Sequence, residues 1–531
     1  MILHMARNDS NASFDIRELL TPAAFPHAVT RLQLVETHIS WIVLTGHYAY
    51  KIKKPVRFDF IDASTLERRR ELCQEELRLN QRFAPDLYVD VRTITREHGH
   101  LKVAVDGPAV EYAVRMHQFE PSQELSSRLA EGTVTPNDMT SFATALADFH
   151  RGAAVAAASS PFGTLESVTA QIVDNQSALS QYARDAQEKV AVTNLGEWLK
   201  TSLRELGPII ELRKRIGAVR ECHGDLHARN IVRWRQQWMP FDCIEFNPDL
   251  RWIDVMSDVA FLFMDLAAHD RQDLAYAFLS RYLEESGDYG GLRVLRLYAV
   301  YRALVRAKID AIGARALSLE SAQAMLTREE ERLSIASELT QPGQPVLLIT
   351  HGVTACGKSW LSERLITSIH AVRVRSDFER KRLAGLAPLA RSDSGVGEKL
   401  YVADATDRTY TRLRECAESA LAAGLNVIVD ATFLRASQRE SFRKLALELR
   451  CQFVILSCHA SRATLHARLD TRTRIGLDPS EATVAVLEHQ LATQEPLTPE
   501  EQAHVLLIDT NWLTSADAGI ESVRTRVGDT A

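Results

Sequence analysis

One histidine, two aspartates and an asparagine stand at spacings that suit phosphoryl transfer. The histidine, the first aspartate and the asparagine lie in His223-Gly224-Asp225-Leu226-His227-Ala228-Arg229-Asn230; the second aspartate, Asp242, follows the hydrophobic stretch that ends in Phe241. Moving a phosphoryl group asks little covalent work of a protein. It needs an acceptor hydroxyl held in line, metal ions bridging the phosphates and positive charge on the leaving side. Asp225 suits orienting the hydroxyl and taking its proton. Asn230 suits holding Mg2+ through its amide oxygen, and Asp242 suits the principal metal carboxylate. His227 reads as a local brace of the loop, and Asp258 as an anchor for it from a helix.

A second phosphate-handling pattern lies far downstream. Gly352-Val353-Thr354-Ala355-Cys356-Gly357-Lys358-Ser359 follows the apolar run Val346-Leu347-Leu348-Ile349 and opens a helical stretch. Gly-x4-Gly-Lys-Ser between strand and helix is a P-loop. Gly352 and Gly357 let backbone amides converge on phosphate oxygens, and the helix N-terminus adds its dipole. Lys358 would reach the β- and γ-phosphates, and the Ser359 hydroxyl would ligate Mg2+. Cys356 serves as a small residue in the loop. The run Val427-Ile428-Val429-Asp430 continues as Ala431-Thr432, without the glutamate that hydrolytic ATPases use to activate water. That favours transfer to an acceptor.

The elements that must carry these residues fall into three stretches. Residues 35–120 read as strands around one helix (66–82), residues 135–335 mainly as helices with short strands near 231–234 and 238–241. Beyond residue 345 strand and helix alternate, which argues for a parallel sheet flanked by helices. Thr340-Gln341-Pro342-Gly343-Gln344-Pro345 reads as a linker. The domain expectation is therefore 1–339, with a small lobe at about 30–120 and a helical lobe at about 121–339, then the linker 340–345 and a second domain at 346–531.

Composition excludes several classes. With 531 residues the chain is too long for one core. A net charge of −6 with the signs mixed argues against a nucleic-acid or anionic-membrane partner. Seven scattered cysteines without a Cys-x-x-Cys pair argue against a disulfide framework or zinc site and for a reducing compartment. No apolar run approaches a membrane span and no leader pattern opens the chain, so the expected location is cytoplasmic.

His-Gly-Asp-x-His-x-x-Asn resembles the catalytic loop of aminoglycoside and choline/homoserine-type small-molecule phosphotransferases. Tyr50-Lys51-Ile52-Lys53-Lys54-Pro55, Glu111-Tyr112-Ala113-Val114-Arg115-Met116 and Phe241-Asp242-Cys243-Ile244-Glu245-Phe246 extend the likeness to a bacterial family in which such a domain is fused to a P-loop domain. The resemblance implies a strand lysine that grips the α- and β-phosphates and pairs with a helix glutamate. Lys51 is the choice, with Ala49 two residues before it, and Lys53 points to the same side. Glu76 is the partner, with Glu75 the alternative, and residues 116–119 form the hinge between lobes. No Gly-x-Gly-x-x-Gly precedes Lys51, only Gly46. The later segment is similar to small-molecule and polynucleotide P-loop kinases. There the likeness implies that Asp377 orients an acceptor, that Arg380 contacts it, and that Arg468, Arg472 and Arg474 belong to a lid, Arg472 foremost.

The expectation is a two-domain chain: an N-terminal α+β protein-kinase-like bilobal fold and a C-terminal α/β P-loop NTPase fold with a parallel sheet. It would be a bifunctional kinase using ATP and Mg2+ on small hydroxyl-bearing acceptors. The rivals are one catalytic domain beside a nucleotide-binding regulator, or a P-loop domain acting as a polynucleotide 5′-kinase.

Overall fold

The computed structural model describes residues 14–58, 61–104, 107–315, 319–341, 343–387, 403–475, 483–511 and 513–528. The chain packs as two compact units, Met1–Gly132 with His223–Trp252, and Thr133–Cys222 with Ile253–Ala531.

The first unit is built on a six-stranded antiparallel sheet. Its strands are β1 (Gln33–Glu36), β2 (Ser40–Leu44), β3 (Tyr48–Lys53), β4 (Tyr88–Glu97), β5 (His100–Ala104) and β6 (Ala109–His117), in the order β1-β2-β3-β6-β4-β5. Helix α1 (Leu66–Gln81) starts where the Thr65 side chain accepts the Arg68 amide, and it buries Arg69, Cys73, Glu76, Leu79 and Asn80. The spacing of Cys73, Glu76 and Asn80 places all three on one helical face. A hairpin of β7 (Ile231–Trp234) and β8 (Gln237–Pro240) leads into Asp242. Val232 of that hairpin packs with Ala49, Cys73, Leu87, Tyr88, Val114 and Met116 in one apolar cluster. This packing ties residues 223–252 to the small sheet. The turn between β2 and β3 holds only Thr45, Gly46 and His47, so the missing glycine-rich loop is a tight hairpin.

The second unit contains helices α2 (Pro136–Gly152), α3 (Leu165–Tyr182), α4 (Ala186–Arg215), α5 (Val255–Ala268), α6 (Gln272–Ser286), α7 (Leu292–Arg315) and α8 (Leu319–Thr340). A capping box between Thr135 and Asp138, with proline at the first turn, starts α2. Helix α6 ends at Gly287, whose φ of 73° is the left-handed turn that glycine closes most cheaply.

The same unit holds a five-stranded parallel sheet. Its strands are β9 (Val346–His351), β10 (Ala371–Arg375), β11 (Asn426–Asp430), β12 (Gln452–His459) and β13 (Val505–Asp509), in the order β10-β11-β9-β12-β13. Around it lie α9 (Lys358–Ser368), α10 (Ser376–Leu383), α11 (Ala403–Ala422), α12 (Ala436–Glu448), α13 (Arg462–Ile475), α14 (Val484–Thr493) and α15 (Leu513–Gly528). The first five residues of β9 are buried, as expected of a central strand covered on both faces. The expected fold class is therefore present in both parts. Among the described residues no helix is long and apolar enough to cross a membrane.

Candidate functional site

In the first unit a chain of alternating charges runs across the small sheet. Lys51 Nζ donates to Glu76 Oε1 at 2.8 Å and also to Asp242 Oδ1. Lys53 Nζ lies 2.6 Å from Glu76 Oε2 and donates to Glu245. Strand period places both lysines on one face of β3, and one buried carboxylate takes them both, one on each oxygen. Glu75 turns elsewhere, to the Arg251 guanidinium at 2.8 Å. Glu76 rather than Glu75 is thus brought to Lys51.

Burial opposes charge in this group, and the partners more than offset it. Burial lowers the Lys51 pKa, yet Asp242 and Glu76 raise it well above the ordinary lysine value. Burial raises Glu76, but the two ammonium groups hold it below the usual carboxylate range. Asp242 is likewise held down by Lys51 against burial. All three are charged at neutral pH.

Asp242 has a φ of 63°, a left-handed conformation that aspartate tolerates better than most residues. Its amide donates to the Tyr88 hydroxyl at 3.1 Å, and the next amide, Cys243, donates to Asn80 Oδ1 at 2.9 Å. Asn80 in turn donates to the Glu76 carbonyl at 2.8 Å, so α1 fixes both the glutamate and the aspartate segment.

The loop before it is organised by histidines. His223 Nδ1 accepts the Asp225 amide at 3.3 Å, and its Nε2 donates to the Phe241 carbonyl at 2.9 Å. His227 Nδ1 accepts the Arg229 amide at 3.2 Å, while its Nε2 lies 3.3 Å from Asp225 Oδ2. Asn230 Nδ2 donates to both the carbonyl and Oδ2 of Asp225, each at 3.0 Å. Asp225 and Asn230 are therefore joined directly, and His227 touches the same carboxylate oxygen. Gly224, at a φ of 88°, is needed because a Cβ there would lie 2.5 Å from the Leu250 carbonyl.

Asp258, on α5, is fully buried. His150 Nε2 lies 3.4 Å from its Oδ2, and His150 Nδ1 is 2.8 Å from the Tyr282 hydroxyl. Together with Cys222 these side chains bring ligand-type atoms within 4.8 Å of one another, but both ring nitrogens are already engaged in hydrogen bonds.

In the parallel sheet the P-loop, Asp377 and Asp430 lie at the carboxyl edge, where ligands of such sheets bind. The loop 352–357 follows β9, Asp377 opens α10 after β10, and Asp430 ends β11. Gly352 has a φ of 136°, and a Cβ there would meet the Cys458 carbonyl at 2.5 Å and Cys356 Sγ at 2.7 Å. Gly357 caps α9 at a φ of 89°. Lys358 Nζ donates to the Val353 carbonyl at 2.7 Å, across the loop. Arg380 stands 3.5 Å from Asp377, three residues along the same helix.

Of the three arginines expected in a lid, Arg468 and Arg474 turn to different partners. Arg468 donates to the Ala355 carbonyl at 3.2 Å and to the Thr510 carbonyl at 2.5 Å, while Thr510 Oγ1 donates to the Cys356 carbonyl at 2.8 Å. Arg468 therefore braces the P-loop. Arg474 turns back to the Asp470 carbonyl of its own helix at 3.4 Å. Arg472 lies on α13, with its side chain outside the described residues.

Sequence reading missed Glu245, Asn80 and Tyr88 in the first site and Arg373, Ser362 and Thr510 in the second. Asn80 was within reach, four residues after Glu76 on one helix face. Arg373 carried a signal too, as a charge inside the apolar strand Ala371-Val372-Arg373-Val374.

Residues 347–497 match a family model described as an AAA domain. Uncharacterised proteins of Mycobacterium tuberculosis and Mycobacterium bovis are each 27% identical over 452 residues, spanning 85% of this chain and 88% of theirs. Among solved structures, a putative kinase from Chloroflexus aurantiacus is 21% identical, covers 34% of this chain and 98% of its own, and has a TM-score of 0.29. A choline/ethanolamine kinase family protein from Mesorhizobium loti is 13% identical, covers 61% of this chain and 93% of its own, and has a TM-score of 0.37.

Proposed function

We propose that this chain is an ATP- and Mg2+-dependent phosphotransferase with two sites, each passing the γ-phosphoryl group to a small hydroxyl-bearing acceptor. The observation that carries the first site is Lys51, held at once by Glu76 and Asp242. A lysine fixed in this way has its ammonium beside the metal carboxylate, where the phosphates of a bound nucleotide must lie. The donor set fits magnesium, because Asp242 and the Asn230 amide offer hard oxygens. Bound there, magnesium would neutralise charge on the phosphates. Asp225 would orient the acceptor hydroxyl and take its proton, with Asn230 and His227 fixing the rotamer of its carboxylate.

In the second site the P-loop amides and Lys358 would hold the phosphates, and the Ser359 hydroxyl would supply a hard ligand for magnesium. Asp377 would orient that site's acceptor, with Arg380 beside it.

A second reading has one specific observation in its favour. The β2–β3 turn of three residues leaves only Gly46 to cover phosphates, which suits an N-terminal site that binds nucleotide as a regulator.

The test follows γ-labelled ATP in a metabolite extract with wild type, Asp225→Asn and Lys358→Ala. Two labelled products, each lost in one variant, is the expected result. Asp225→Asn should cut its own product about 10²–10⁴-fold, the usual share of a positioned base. Loss of label in Lys358→Ala alone would make the first site the regulator. Label found only as free phosphate would overturn phosphotransfer.

A further inference from the structure

One edge strand of the parallel sheet, β10, carries a buried cation that neither proposed reaction uses. Arg373 lies in the middle of β10 and is 5% exposed. Its guanidinium faces two ways. Nε donates to Glu284 Oε1 of α6 at 2.6 Å, while one terminal nitrogen donates to the Ser359 carbonyl and to Ser362 Oγ, each at 3.3 Å. Ser362 Oγ is also 3.2 Å from Asp430 Oδ2. One side chain thus spans α6, the first turn of the P-loop helix and, through Ser362, the acidic end of β11.

The backbone of the same residue is tied to the same layer. Its amide donates to Ser280 Oγ at 3.0 Å, and its carbonyl accepts the Tyr289 hydroxyl at 2.8 Å. Glu284 and Ser362 are fully buried and Asp430 is nearly so. Burying an ion pair costs desolvation that an apolar pair of similar volume avoids. Burial opposes the Arg373 charge, but the Glu284 carboxylate outweighs it and leaves its pKa above the ordinary arginine value. Arg373 therefore keeps its charge. A charge kept there at such cost is suited to holding geometry that apolar packing would leave loose.

We propose that Arg373, fixed by Glu284, is a positioning residue for the magnesium-binding half of the P-loop site. It holds the carbonyl of Ser359 and the hydroxyl of Ser362, and through these it orients the Ser359 hydroxyl and Asp430. This rests on the reading of Ser359 as the magnesium ligand. It also makes α6, a helix far outside the P-loop segment in sequence, part of the support of that site. Partners one step removed from a metal ligand set metal affinity by orienting it, and their loss weakens binding about 10–100-fold.

The experiment titrates Mg2+ into the full chain with a fluorescent ADP analogue and reads the part of the signal that Lys358→Ala abolishes. Glu284→Gln keeps the shape and removes the charge; Arg373→Lys keeps the charge and removes the fork. Both should raise the Mg2+ concentration at half-saturation by about 10–100-fold, while affinity for the analogue without Mg2+ stays near wild type. Melting temperature is followed alongside. Both variants melting lower with an unchanged Mg2+ midpoint would make the pair structural only and overturn the proposal. If Lys358→Ala retained the whole signal, the P-loop reading itself would fall, a result distinct from an unchanged midpoint.

Discussion

Lys53 Nζ and Glu76 Oε2 meet at 2.6 Å in the interior of the small sheet, on the carboxylate oxygen that Lys51 leaves to it. Lys53 is fully buried, whereas the Lys51 side chain keeps 12% of its surface. The two lysines therefore have different roles. Lys53→Met strands Glu245 and half of Glu76 without a cation, which should cost about 3–5 kcal/mol of stability. Lys53→Met combined with Glu245→Leu should recover much of that loss. Lys51→Met should instead weaken nucleotide binding by the first site, with a smaller loss of stability. Urea unfolding and nucleotide titration of the three variants measure both effects. Equal destabilisation by the two single lysine changes would contradict the division.

Gly352 and Gly385 both have positive φ, 136° and 71°, but differ in what a side chain would meet. At Gly352 a Cβ would press on the Cys458 carbonyl, a backbone atom that cannot swing aside. At Gly385 it would meet nothing within 4 Å. Gly352→Ala should therefore distort the P-loop and abolish nucleotide binding there. Gly385→Ala should cost about 1 kcal/mol from the backbone conformation alone. Calorimetric titration of the two proteins makes the comparison.

His351, at the end of β9, has its pKa lowered to about 4, chiefly by burial and further by Arg439 and Lys358. Its Nδ1 pairs with Ser457 Oγ at 3.0 Å. Below an unfolded value near 6.5 the unfolded chain takes up a proton that the native one refuses. The stability this residue contributes is complete above about pH 6.5 and is lost progressively as pH falls towards 4. His351→Gln should flatten that part of the stability profile by about 1–3 kcal/mol. Unfolding midpoints at several pH values between 7 and 4.5 test it, and an unchanged slope would refute it.

Much of the fold is written in the sequence because the runs that build it are uninterrupted. Val346 to Ile349 and Val427 to Val429 are buried on both faces, so only an apolar strand fits them. Strands β1 and β5 escaped notice for the opposite reason. They lie at the sheet edges, and β1 has no fully buried residue to mark a period. The candidate sites were legible where one segment carries the pattern, as in 223–230 and 352–359. Period alone could not rank Lys51 over Lys53, because both face the same way and the choice depends on partners up to 192 residues distant. The same limit hid Glu245 and Tyr88, whose contacts form only when separate elements pack.

The two edges of the parallel sheet are finished differently. At β10 the amide and carbonyl of Arg373 are capped by Ser280 and Tyr289, so at that residue the edge has nothing left to offer another strand. At the opposite end β13 is the terminal strand, and Leu507 in it is 73% exposed. Among the described residues no strand pairs with its outer side, and such an edge is a template for intermolecular pairing. Within the parallel sheet, any tendency to pair with another chain or an extended peptide therefore falls on one five-residue strip, Val505–Asp509. A charged substitution at Leu507 would be the economical remedy for poor solubility, because it touches neither nucleotide-handling loop.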